Sequence, residues 1–142
     1  MKIQVHNKEN DIRISNKTLI ELTNWLCREM KLKVQTLDII FTDDQNLRDM
    51  HEEFLSDTHY TDVMTFNLGS KDSIEGEIYI SKERALENAI KYNVSPVNEI
   101  CRLITHGCLH LAGYEDNNQT NLKKMKIKED EFLSIVLTKF LN

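Results

Sequence analysis

The sequence predicts a single domain in which strands and helices alternate around one core, and three observations carry that expectation. The chain has 142 residues, 40% hydrophobic and 29% charged, which is ordinary globular usage and enough to bury one core but not two. Apolar residues recur at period two in some stretches and at helical spacing in others, and the two kinds of stretch are interleaved. With 4 Gly and 1 Pro, and no repeat or low-complexity tract, nothing divides residues 1–142 into parts.

"KIQVH" (2–6) reads as a short strand. Leu19, Leu22, Leu26 and Met30 then recur at helical spacing behind a Ser15 cap, so a helix carrying Trp25 follows. In "QTLDIIFTDD" (35–44), Leu37, Ile39 and Phe41 share one face at period two, and Asp43 or Asp44 caps a helix that packs through Leu47, Met50 and Phe54. Two β-like runs come next, "TDVMTFNL" (61–68) and "GEIYIS" (76–81), joined by the polar loop "GSKDSIE" (69–75). Ala85, Leu86, Ala89 and Ile90 mark another helix. Ser95-Pro96 starts the following one sharply, with serine at the cap and proline at the first helical position, and Gly113 is the matching stop.

That helix is the most informative stretch. At about 100° per residue, Val97, Ile100, Cys101, Ile104, Cys108 and Leu111 fall on one stripe, with Leu103 and Leu109 on its shoulders. His106 and His110 fall nearly opposite. The pattern describes a helix buried almost all round whose one polar gap presents two imidazoles together. Imidazoles at i and i+4 can reach a single ion at roughly 2.0–2.1 Å, so the pair is a candidate metal site that needs a third donor from beyond the helix. Gly113 lets the chain reverse, which brings both Glu115 and Asp116 within reach.

Other features bound the function. No apolar run approaches the roughly 18 to 20 residues of a membrane span, and "MKIQVHNKEN" lacks the apolar core of a secretory signal, so the expected location is cytoplasmic. Cys27, Cys101 and Cys108 form no CxxC pair and are expected to be reduced and buried. Net charge is −5, from 18 basic against 23 acidic residues, so any RNA contact must come from a local patch. "NLKKMKIKED" (121–130) is the candidate: Lys123, Lys124 and Lys126, with Lys128 beside them, crowd one short segment, and such a run also describes a solvated helix face.

These residues carry a family resemblance. "HGCLHLAGYED" (106–116) resembles the HGxLHLxGYDH signature of the YbeY family of metal-dependent endoribonucleases that act in ribosomal RNA maturation. "TDVMTF" is similar to that family's TDVLSF strand and "GEIYIS" to its GDIxIS strand, in the same order and with matching separations. The resemblance runs from about residue 35 to the C-terminus; the opening residues match no motif.

The resemblance implies an α+β fold in which a small mixed β-sheet packs with helices and a metal-binding helix lines a cleft, a zincin-like design. It also implies a metal held by three histidines. His106 and His110 match the first two, and the third falls on Asp116, a competent zinc ligand that stands three residues after Gly113. Glu115, at the family's aspartate, is the competing donor. Many members carry an arginine where this chain has Leu55, so the phosphate clamp it would supply is missing unless His51 or His59 substitutes.

The expected function is a metal-dependent, single-strand-directed endoribonuclease of ribosomal RNA maturation and ribosome quality control. One zinc ion is the expected cofactor, from the donor types and the resemblance. Attack by a metal-activated water or by the RNA 2′-hydroxyl is equally open, with Glu115 an accessory group. Expected partners are single-stranded and ribosomal RNA, with ribosomal proteins or a GTPase of ribosome assembly, and no membrane. Two alternatives stand beside this: a non-catalytic ribosome-biogenesis factor stabilised by the metal, and a metallopeptidase-like hydrolase. Gly107 disfavours the latter, because HExxH peptidases carry their general base at that position.

Overall fold

The computed structural model describes residues 1–9, 11–55 and 61–141, and of residues 54 and 55 the backbone alone. β1 (Lys2–His6) lies parallel to β2 (Val34–Thr42), with Ile3 opposite Leu37 and Val5 opposite Ile39. Parallel neighbours require a crossover, and α1 (Asn16–Glu29) supplies it. β2 also runs parallel to β4 (Ile74–Ser81), and β3 (Val63–Asn67) closes antiparallel onto β4, giving the order β1-β2-β4-β3. α2 (Asp44–Leu55) connects β2 to β3, and α3 (Lys82–Tyr92), α4 (Pro96–Leu111) and α5 (Gln119–Phe140) follow β4. The sheet is small and mixed, and the α+β class that the resemblance implied is the one observed.

The apolar periods explain why these elements pack. Leu37, Ile39 and Phe41 point from β2 into the same core as Ile78 and Ile80 of β4, because alternate residues of a strand share a face. Leu19, Leu22 and Leu26 of α1 are fully buried against them, each contributing about 1.5–3 kcal/mol relative to exposure. α4 sits at the centre: Ile100, Cys101, Ile104 and Cys108 join that core, and Leu133 and Val136 of α5 close it from behind. The three cysteines are free and buried. Burial pushes the Cys101 thiol up to about 12.

The caps fall where the sequence places them. Ser15 accepts from the Thr18 amide and Ser95 from that of Asn98, with Pro96 in the first turn. Asp43 accepts from the Asn46 amide at 2.7 Å. Three details differ from expectation. β4 begins at Ile74 rather than Gly76, because the Ile74 amide bonds to the Lys33 carbonyl at 2.8 Å and its side chain is buried. α3 faces the core through Ala85 and Ala89 alone, while Leu86 and Ile90 are exposed. Glu99, which the wheel of α4 left unassigned, is buried. No helix among the described residues is long and apolar enough to cross a membrane.

Candidate metal centre

The position of α4 on the sheet is set by a glycine. A Cβ at Gly107 would stand 2.8 Å from Ile78 Cδ1, so the helix rides closer to β4 than any other residue would allow. With that face against the sheet, His106 and His110 turn toward β3 and an open cleft of about 570 Å³. Gly107 therefore does more than lack the peptidase general base: its position is packed against Ile78 and has no room for one.

The end of α4 is built by a left-handed glycine. Gly113 has φ +99°, its amide bonds to the His110 carbonyl at 3.0 Å, and the Tyr114 amide bonds to the Leu109 carbonyl at 3.0 Å. Those two bonds form a Schellman turn. The reversed chain then carries the Tyr114 carbonyl to 3.0 Å from His110 Nδ1 and the Asp116 carboxylate to the two imidazoles.

Three donor atoms converge there. His106 Nε2 and His110 Nε2 are 3.0 Å apart, and Asp116 Oδ2 lies 3.3 Å from the first and 3.4 Å from the second. Donors held ~2.0–2.1 Å from one ion at near-tetrahedral angles stand ~3.3 Å from one another, so these residues fit a single small cation. His106, His110 and Asp116 form a group that could hold a metal ion. Glu115 lines the same cleft but is not part of that group.

Hydrogen bonding fixes which nitrogens face inward. The Tyr114 carbonyl can only accept, so His110 Nδ1 carries a hydrogen, and His106 Nδ1 lies 2.8 Å from Glu129 Oε2. In the neutral imidazoles both Nε2 atoms then present lone pairs to each other, an arrangement that calls for a cation between them. Glu129 is one end of a buried network. Its other oxygen accepts from Arg102 at 2.7 Å, Arg102 also donates to Glu99 at 2.7 Å, and Asn88 links Glu99 to Asp62. Burial works to raise Glu129, but His106 and Arg102 outweigh it and hold the carboxyl below its ordinary value. Burial likewise opposes charge on His106, yet Glu129, with Asp116 and Asp62 adding, lifts it above the usual imidazole value.

Glu129, Arg102 and Glu99 escaped the sequence reading. A signal existed for Glu129: with Met125, Leu133 and Val136 it belongs to the buried stripe of α5, and a carboxylate in such a stripe needs a partner. The residues expected to touch RNA are distributed differently. Lys123 and Lys124 are exposed, and Lys124 borders a shallow hollow with Gly113, Tyr114 and Glu115, on the turn that carries Asp116. Lys126 pairs with Asp130 at 3.1 Å and lines a separate hollow with Tyr92 and Arg102. His51 lines the metal cleft, and its Nδ1, like Thr65 Oγ1 on β3, is buried without a hydrogen-bond partner among the described residues. His59 and the side chain of Leu55 lie outside the described residues.

The family profile described as Endoribonuclease YbeY matches residues 4–136. The chain belongs to the YbeY family. A Cytophaga hutchinsonii relative named Endoribonuclease YbeY is 37% identical over 119 residues, covering 81% of this chain and 83% of its own. A YbeY relative from Phytoplasma mali is 36% identical over 137 residues, covering 96% and 89%, and one from Flavobacterium psychrophilum is 34% identical over 132 residues, covering 91% and 93%. Among solved structures, a Thermotoga maritima protein determined in solution superposes with a TM-score of 0.65 at 26% identity, over 98% of this chain and 91% of that one. The YbeY match thus extends over the opening residues, in which no motif is recognisable.

Proposed function

We propose that this protein is a metal-dependent endoribonuclease that cleaves single-stranded RNA, with one zinc ion held by His106, His110 and Asp116. The observation that carries the reading is the convergence of three donor atoms, 3.0 to 3.4 Å apart, at a cleft walled by β3. Membership of a family whose relatives are named endoribonucleases supports it. When bound, the ion supplies Lewis acidity for a phosphoryl oxygen and lowers the pKa of water. The chain's own contribution is placement. Asp116 brings a negative charge to the two imidazoles, and Glu115, on the same turn, is an accessory group for moving a proton. His51, which lines the cleft, is the proposed polar contact to the substrate in the place of the missing arginine.

Lys123, Lys124 and Lys126 are the proposed RNA contacts outside the cleft, with Lys124 bordering the hollow beside the turn of residues 113–115. The finer proposal is that the substrate is ribosomal RNA, in maturation and quality control of the ribosome, with ribosomal proteins or an assembly GTPase as partners and the cytoplasm as location. A second reading, a non-catalytic biogenesis factor whose metal orders α4 and its turn, draws on one observation: among the described residues that line the cleft, none is Lys or Arg.

One experiment separates the readings. Purified protein is incubated with single-stranded RNA and with casein, with and without chelator, alongside Asp116→Ala and Glu115→Ala variants. Chelator-sensitive cleavage of RNA alone, lost with the metal in Asp116→Ala and only reduced in Glu115→Ala, is the expected outcome. Intact RNA with full metal content supports the non-catalytic factor. Metal loss in Glu115→Ala but not in Asp116→Ala reassigns the third ligand.

A further inference from the structure

The two imidazoles are held by different means. His110 Nδ1 is fixed by a main-chain carbonyl, which the Schellman turn delivers whatever side chain residue 114 carries. His106 lies one turn earlier on α4, where no such carbonyl is available, and its Nδ1 meets Glu129 Oε2 from α5 at 2.8 Å.

The burial of Glu129 needs a reason. Its side chain is 3% exposed, and its neighbours on that stripe are Met125, Leu133 and Val136. An apolar residue would pack there without desolvating a carboxylate, and a buried ion pair is weak grounds for stability. Its two oxygens are divided between two donors: Oε1 takes Arg102 at 2.7 Å and Oε2 takes His106. Arg102 is in turn locked by Glu99, itself buried. The carboxylate therefore has one orientation, and that orientation commits the hydrogen of His106 to Nδ1.

We propose that Glu129, anchored by Arg102, is the positioning residue of the metal centre: it fixes the ring and tautomer of His106 so that Nε2 presents its lone pair toward His110 and Asp116. This rests on the metal-binding reading above. Where a carboxylate orients an imidazole ligand in this way, its removal costs about 10- to 100-fold in metal affinity.

Glu129→Gln tests this sharply because it keeps the shape and removes one acceptor. A glutamine has a single acceptor oxygen for two donors. Arg102 cannot give up its proton, so the amide oxygen turns to Arg102 and the amide NH₂ faces His106 Nδ1. That nitrogen must then accept, which moves the ring hydrogen to Nε2. Zinc affinity is measured on metal-free protein by competition with a chromophoric chelator, and the His106 tautomer by long-range ¹H–¹⁵N NMR of the same metal-free protein at a pH above the raised His106 value, where the ring is neutral. The expected result for Glu129→Gln is zinc binding about 10- to 100-fold weaker, with His106 shifted toward the Nε2–H form. Glu129→Asp keeps two acceptor oxygens and retains more of the affinity.

A lower unfolding midpoint with unchanged zinc affinity and an unchanged His106 tautomer would overturn the proposal and leave Glu129 a structural ion-pair partner. Should Glu129→Gln not fold, Glu129→Met, which fills the apolar stripe of α5 without an acceptor for His106, carries the same two readouts, and affinity and tautomer both equal to wild type overturn the proposal. The two levels fail separately. Wild-type protein that takes up no zinc removes the metal reading, and this proposal with it. Wild-type protein that binds zinc no better than its position-129 variants removes the positioning role alone.

Discussion

Replacing Gly107 by alanine sets two effects of known size against each other. In an open helix the change is favourable by about 1 kcal/mol, because alanine loses less backbone freedom on folding. In this helix the new methyl would stand 2.8 Å from Ile78 Cδ1, 3.0 Å from Cγ2 and 3.1 Å from Cγ1. Rotation about the side chain moves Cδ1, but Cγ1 and Cγ2 are both bonded to Cβ and cannot leave together. Ile78 is fully buried, so the strain passes to the packing of α4 on β4, and overpacking of this kind costs ~1–3 kcal/mol. The expected net effect is a loss of about 0–2 kcal/mol, together with weaker zinc binding, because the same shift moves His106 and His110 relative to Glu129. Urea denaturation with an unchanged slope reads the first quantity and chelator competition the second. A variant more stable by the full ~1 kcal/mol, binding zinc as the wild type does, would refute the close packing of α4 on the sheet.

Gly113→Ala places a side chain at φ +99° and should destabilise by about 1 kcal/mol or more while lowering zinc occupancy, since the turn carries Asp116; elemental analysis at wild-type metal content would contradict this. Changing Lys123, Lys124 and Lys126 together to glutamine should weaken single-stranded RNA binding and flatten its salt dependence, and unchanged affinity across a salt titration would return the run to a solvated face. At pH 8 the folded protein should resist alkylation at all three cysteines, which are buried and two of which, Cys101 and Cys108, have thiols raised above their ordinary value, and should label fully in denaturant. Fast labelling of the native protein at Cys101 or Cys108 would show that α4 opens on that timescale.

What the sequence made legible was local. The wheel of α4, its Ser95-Pro96 start and its Gly113 stop are short-range patterns, and from them the shared face of His106 and His110 follows. Asp116 is preferred over Glu115 through the family resemblance, because it stands where the family carries its third histidine, three residues after Gly113, with a short side chain that suits a turn. The same locality explains the misses. Ile74 reads as loop because Ser73 and Glu75 flank it, and only pairing with the chain at Lys33 draws it into β4. α5 has exposed Leu122, Ile127 and Ile135 alongside its buried stripe, which blurs the period and hides the place of Glu129. No pattern within α5 names His106 as its partner, because that depends on how two helices meet. His51, named from the sequence as a substitute for the arginine, lines the cleft through the path of α2.

All three donors come from one continuous stretch, 106–116, most of it already ordered as helix and turn. Loop-closure entropy grows with the length of chain that must be drawn together, so gathering this donor set adds little to the cost of forming α4 itself. The opposite wall of the cleft, β3, belongs to a distant part of the chain and is one of the two outer strands of the sheet. On the proposed metal reading, capture of the ion and shaping of the surface a substrate meets are therefore carried by separate parts of the chain. Substitutions along residues 63–67 would change the wall a substrate meets without touching the donor set, whereas Asp62 is tied to that set through Asn88, Glu99 and Arg102.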